Sequence, residues 1–248
     1  MDFINYLESN NVIVVKNILR LKKLVYSNEE IKEHIDLIIK VQEILNNYDP
    51  KYFYTFKSFV WKKPEHFYKS LKLLKRQYAK LLENGPENEY EELILSSAAE
   101  YIDKADRACD NLRHSKYKVL IKRSMLRKEI ALGKVSYDNL YMDEKIKIKD
   151  IKSIGYNMLE MDIIQFLSKI KKRISINDLI QFIEYFCSEK GLSSISENFI
   201  LTMLSYPSKY IKHTLRYFEN PAYYVQNTHI DKFKNALLLD GESLYEYF

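Results

Sequence analysis

The sequence predicts a mainly α-helical protein that carries one small β-hairpin. Three observations support that class. Apolar residues recur three and four apart, at helical spacing, over most of the 248 residues. One island of alternation, Ile146 and Ile148 after the turn Asp143-Glu144-Lys145, interrupts that pattern. Glycine and proline occur only 5 times each, which leaves little room for a turn-rich all-β fold or a glycine-rich phosphate loop.

Taken from the N-terminus, Phe3, Ile4 and Leu7 suggest a first helical turn or two. Val12 to Val15 reads as a strand and Leu21 to Tyr26 as a second, together a small hairpin. Ser27 and Glu30 form a capping box, so a helix is expected from there to about Asn47, with Ile31, Ile35, Ile38, Ile39 and Leu45 inward. Asp49-Pro50 ends it. The aromatic run Tyr52, Phe53, Tyr54, Phe56, Phe59 and Trp61 is expected to pack in the core, in preference to forming a base-stacking platform.

Pro64 suits the first turn of a helix that runs to about Glu83 and stops at Asn84-Gly85-Pro86. A long helix follows from about Glu89 to Leu112; Ala98, Ala105 and Ala108 on its stripe permit close packing. A shorter one is expected from about Ser115 to Lys128. Beyond the hairpin, helices are expected over about Leu159 to Lys171, Ser175 to Gly191, and Ser196 to Ser205, with a break at Tyr206-Pro207. Helix resumes as far as Asn220-Pro221, and a last one covers about Ile230 to Leu239 before a loosely held tail.

Hydrophobic residues are 46% of the chain and charged residues 29%, an ordinary globular composition with ample core. The net charge of +5 permits anionic partners without demanding them. Richness in Ile, Lys, Asn and Tyr suits an AT-rich bacterial genome. MDFINYLESNN has acids and no basic region, unlike a signal peptide, and no apolar run approaches the roughly 18 residues of a membrane span. An intracellular protein is therefore expected. Cys109 and Cys187 sit on apolar stripes and are expected to be reduced core thiols. The five histidines, His34, His66, His114, His213 and His229, lack metal-ligand spacing. The basic runs Arg113–Lys128 and Lys169–Arg173 are expected to be solvated helix faces; the other reading is a polyanion patch.

The segment from Ala131 to Asp162 carries the functional signal. It holds Leu132, Gly133 and Lys134, then Asn139 five residues on, the hairpin, Asp150 and Lys152, a turn at Gly155, and a helix containing Asp162. This layout resembles the catalytic segment of the aminoglycoside/choline-type phosphotransferases, members of the protein-kinase-like fold, with their H-G-D-x-x-x-x-N, hairpin and D-x-D. Within them it is most similar to the CotS-type spore-coat family, in the runs YDNLYMDEKIKIKDIKS, MDIIQFL and LSYPSKYIKHTLRYFENP. The resemblance covers about Ile31 to Tyr224.

The resemblance implies a helical lobe of a kinase-like fold with a truncated N-terminal lobe: a short segment over residues 1–30 and the lobe over 31–248. The usual five-stranded lobe needs more than the roughly 30 residues ahead of Ile31. Lys16, Lys22 and Lys23 are the candidates for its phosphate-contacting lysine. In the family the motif Asp positions the hydroxyl, and the Asn and later Asp hold magnesium. Here Leu132 stands for the His, Lys134 for the catalytic Asp, and Lys152 for the second acid, while Asn139 and Asp150 fit the metal positions. An ammonium cannot accept a proton at neutral pH, and loss of a positioned base costs about 10²–10⁴-fold in rate.

The expectation is thus an inactive kinase-like protein with no cofactor and no catalytic residue. Asn139 and Asp150 are weak metal candidates whose structural reading is preferred, and Asp162 is a structural residue that hydrogen-bonds the old catalytic loop. The implied partners are other spore-coat proteins and a second copy of the chain, with no membrane and with nucleic acid disfavoured. The implied location is the cytoplasm of the sporulating cell and then the coat. Two other functions remain open: a residual small-molecule phosphotransferase and a polyanion- or nucleic-acid-binding helical protein.

Overall fold

The computed structural model describes residues 2–16, 26–49, 56–114, 117–226, 230–240 and 244. In chain order the elements are α1 (Phe3–Ser9), β1 (Val12–Val14), α2 (Asn28–Asn46), β2 (Lys57–Ser58), α3 (Lys62–Asn84), α4 (Glu89–His114) and α5 (Tyr117–Arg127). They continue with β3 (Ile130–Ala131), β4 (Leu140–Met142), β5 (Ile146–Ile148), β6 (Gly155–Tyr156), α6 (Glu160–Ile170) and α7 (Ile176–Glu189). The last four are α8 (Ser194–Ser205), α9 (Ser208–Glu219), α10 (Pro221–Gln226) and α11 (Ile230–Asp240). The chain is mainly helical, as its periodicity requires. It groups into two compact units, residues 1–61 with 116–200, and residues 62–115 with 201–248.

The first unit is built on the hairpin. β4 and β5 pair antiparallel with Leu140 opposite Ile148 and Met142 opposite Ile146. Leu140, Ile146 and Ile148 are buried, as period-two alternation on a half-buried sheet dictates. The strand at Val12–Val14 forms, and among the described residues its partner is the distant β5. β1 adds to the hairpin in parallel, Val12 beside Ile146 and Val14 beside Ile148. The other strand of the expected N-terminal hairpin, with Lys22 and Lys23, falls on residues 21–25, outside the described residues.

A second sheet has the order β2-β6-β3. It corrects the reading of Gly155 as a turn. Gly155 lies between two strands, beside Lys57 in parallel and Ala131 in antiparallel. A Cβ there would sit 2.4 Å from the Lys57 carbonyl oxygen, so the glycine admits a close backbone approach.

The capping box forms as the sequence implies: Glu30 N–H donates to Ser27 Oγ and Ser27 N–H donates to Glu30 Oε2. Phe56, the buried described member of the aromatic run, packs edge-on to Phe3 at 5.2 Å and Tyr156 at 5.9 Å. Tyr52, Phe53 and Tyr54 lie outside the described residues.

One basic residue departs from the solvated-face reading. Arg123, in α5, turns inward and binds two carboxylates at once. Its guanidinium donates to Glu129 at 2.8 and 3.1 Å and to Glu160 at 2.9 and 2.8 Å, and the Ser196 hydroxyl also donates to Glu160 at 2.6 Å. The Glu129 and Glu160 residues are buried. Such a cluster is tolerable in the interior only because each charge is matched by charge-assisted hydrogen bonds.

The second unit packs α3 against α4 and α9, with α11 on α9. Its core is aromatic. Tyr90 stacks on Tyr217 at 4.6 Å, Tyr101 on Tyr210 at 4.0 Å, and Phe67 on Tyr206 at 3.6 Å. Ala98, Ala105 and Ala108 on α4 are fully buried, as close helix packing asks. Asp240 reaches from the end of α11 to accept the N–H groups of Lys209 and Tyr210 at the start of α9, at 2.7 and 2.9 Å. After Asn220 the chain enters the short helix α10, which the sequence reading did not place. Both cysteines are buried free thiols, Cys109 in this unit and Cys187 in the first; burial pushes each thiol up to about 12. No described helix is long and apolar enough to cross a membrane.

Replacing Arg123 by Met strands two buried carboxylates and is expected to lower unfolding free energy by about 3–5 kcal/mol. Adding Glu129→Gln and Glu160→Gln to that variant should recover part of the loss. Chemical denaturation of the three proteins checks this; an Arg123→Met protein as stable as wild type contradicts it.

Candidate functional site

The loop from Leu132 to Asn139 is held by one face of α6. Asp162, Gln165 and Lys169 stand at i, i+3 and i+7 of that helix, so their side chains emerge on the same side. Asp162 is fully buried and accepts the N–H of Leu132 at 2.9 Å and of Gly133 at 2.7 Å. Gln165 accepts the N–H of Val135 at 3.1 Å. Lys169 donates to the Ser136 hydroxyl at 2.6 Å and lies 3.6 Å from Asp138. Leu132 is buried in the core.

α2 closes the loop from another side. His34 donates through Nε2–H to the Val135 carbonyl at 2.6 Å, and its ring lies against Tyr137 and Phe166. Gln42 donates to Asp162 at 3.0 Å and to the Leu159 carbonyl at 2.9 Å. Burial raises the Asp162 carboxyl above its ordinary value, against the pull of the Gln42, Gly133 and Leu132 donors. Gly133 is required at its place for two reasons. Its φ of 77° is left-handed, and a Cβ would meet the Ser153 carbonyl oxygen at 2.5 Å.

Lys134, Asn139 and Asp150 come together at the mouth of this loop. The Lys134 ammonium forms an ion pair with one carboxylate oxygen of Asp150. The other oxygen accepts the N–H of Lys152 at 2.8 Å. Asn139 is buried and uses both ends of its amide within the chain. Its Nδ2 donates to the Lys134 carbonyl at 2.7 Å and its Oδ1 accepts the Asp150 N–H at 2.9 Å. Lys152 contributes its backbone to the turn, and its side chain is exposed.

Chemically, the carboxylate at the mouth of the loop, Asp150, is engaged by the chain itself. Lys134 is a cation already matched to Asp150. The neighbouring carboxylate, Asp138, is held below its ordinary range by the Ser136 hydroxyl and, against a burial effect, by Lys169. A lowered pKa makes a poorer base. The two oxygens that would ligate magnesium, one on Asn139 and one on Asp150, already accept hydrogen bonds from the chain. Among the described residues no three His, Cys, Asp or Glu side chains converge as a metal site.

A cleft of about 560 Å³ adjoins the loop, lined by Glu30, Glu33, Asp36, Tyr137, Tyr141 and Met142 among others. Its described wall carries three carboxylates, Glu30, Glu33 and Asp36, and the cation Lys40.

Sequence reasoning found Asp162, Asn139 and Asp150. It missed Gln42, His34 and Gln165, which hold the loop. The signal for Gln165 and Lys169 was present in their spacing from Asp162. That for Gln42 was a polar residue on an otherwise apolar stripe of α2.

Two outcomes follow from this geometry. Asp162→Ala leaves buried loop N–H donors unpaired and should destabilise the protein by about 1–3 kcal/mol, read as a lower midpoint in denaturant; an unchanged midpoint contradicts it. Asp150 should titrate below the ordinary carboxylate value of about 3.9, because of the hydrogen bond from Lys134, the N–H of Lys152 and, against a small burial effect, the nearby charge. The stabilisation it contributes is present above the unfolded pKa and is lost as pH falls through the depressed one. Carboxyl-detected NMR should show the Asp150 midpoint moving up in Lys134→Met; a midpoint that stays in place overturns the ion pair.

No family model matches this chain, and no curated protein sequence matches it.

Proposed function

We propose that the chain is a catalytically inactive kinase-like protein that serves as a structural and interaction component in spore-coat assembly. One observation carries the inactive part: the Lys134 ammonium is paired with Asp150, and Asn139 is tied by both ends of its amide. An internal cation occupies the carboxylate that magnesium would need. A kinase-like reaction rests on positioning and on charge stabilisation of the phosphates by metal. With Asn139 and Asp150 engaged by the chain and Lys134 standing at the base position, the proposed scaffold would keep its shape without the reaction. The resemblance of the central and C-terminal runs supports the kinase-like ancestry and the coat setting.

Calorimetric titration with magnesium-ATP tests the inactive part. Wild type should give no binding heat and no turnover. Lys134→Asp should bind magnesium weakly and still fail to turn over ATP. Micromolar binding of magnesium-ATP by wild type, lost in Asp150→Ala, would mean that the site works. The coat part is tested separately by a fluorescent fusion under the native promoter, expected on the forming spore; uniform signal in vegetative cells contradicts it.

A further inference from the structure

On α5 the residues Lys118, Val119, Lys122, Met125 and Leu126 recur at i, i+1, i+4, i+7 and i+8, and so share one face. That face is open to solvent. Val119 is 53% exposed, Met125 66% and Leu126 73%. The opposite face, Tyr117, Leu120 and Ser124, is buried. Beside the exposed face lies a slot of about 360 Å³ lined by Ser58, Val60, Ser124, Met125, Lys128 and Tyr156. Ser124 has a buried hydroxyl with no hydrogen-bond partner among the described residues. Lys57, Lys118, Lys122, Arg127 and Lys128 are all exposed around this patch. The segment from Tyr117 to Lys128 contains no acid.

We propose that this face and slot are a docking surface for an acidic peptide segment of a partner protein, one that inserts a large apolar side chain between flanking carboxylates. Charge complementarity selects the acidic character, because Lys57, Lys118, Lys122, Arg127 and Lys128 are exposed and the segment Tyr117–Lys128 carries no acid. The apolar ridge and concave slot select an anchor side chain, since exposed large aliphatic groups next to a recess are what an anchor residue buries. Methionine at the slot suits it to a peptide surface because the side chain repacks readily. A nucleic acid would match the cations through its phosphates and leave Val119, Met125 and Leu126 against a polar backbone. A flat membrane surface would cover the ridge and leave the slot unfilled. The surface uses none of the residues of the Lys134–Asn139 loop, so it stands independently of the inactive-kinase reading.

The probe is a random-peptide display library selected on the wild-type protein. The expected yield is peptides with one or two large apolar residues set among Asp and Glu. Their affinity should fall on the order of tenfold or more in Leu126→Glu and in Lys122→Glu, while both variants melt like wild type because both sites are exposed. Selection of no peptides, of peptides without acids, or of peptides that bind both variants as well as wild type would overturn the proposal. So would co-sedimentation with phosphatidylserine vesicles that is lost in the same two variants, which would assign the face to a membrane.

Discussion

The carboxylate of Asp162 sets the position of the central loop, and the rest of the site follows from it. With no exposure to solvent, it accepts N–H groups from Leu132, Gly133 and Gln42. Buried backbone N–H groups must find acceptors, and a loop has no ladder of its own to supply them. A carboxylate with two oxygens meets that need for two consecutive residues. Once those are fixed, Lys134 emerges next to the turn at Asp150, and Asn139 links the two ends of the same loop. The residues of α6 that complete the arrangement, Gln165 and Lys169, are on the same helix face as Asp162.

The ion pair at the mouth of the loop has more consequence for chemistry than for stability. Lys134 is exposed, and pairs of this kind contribute about 0–1 kcal/mol. As an occupant, though, the ammonium competes directly with any divalent ion. A magnesium ion is bound through one or two carboxylates plus substrate phosphates. At Asp150 it would have to displace a tethered cation. It would also have to break the hydrogen bond between Asn139 and the Asp150 N–H. The proposed inactivity would come from positions that are filled, as well as from Lys134 standing where the resembling family has its base.

The helices and the hairpin were legible because their signals are local. The Ser27–Glu30 box, the stop at Asn84-Gly85, and alternation at Ile146 and Ile148 each act within a few residues. The parallel addition of Val12–Val14 to β5 was not legible, since nothing near Val12 states which distant strand it joins. Gly155 misled for the same reason: a glycine admits a turn and a close strand crossing equally well, and only Lys57 and Ala131 decide between them. Arg123 was hidden in a basic run because its partners, Glu129 and Glu160, are carboxylates brought in by other segments. At the site, the resemblance pointed to Asn139, Asp150 and Asp162, while the pairing of Lys134 with Asp150 needed the hairpin in place.

The central claim is that Lys134 and the chain's own N–H groups fill the magnesium positions. The most direct measurement is a crystal soaked with manganese and a non-hydrolysable ATP analogue, examined by anomalous diffraction. The account predicts no metal peak at Asn139 and Asp150, with the Lys134–Asp150 pair intact. A manganese ion ligated by both residues, with Lys134 turned away and a phosphate on the metal, would contradict it.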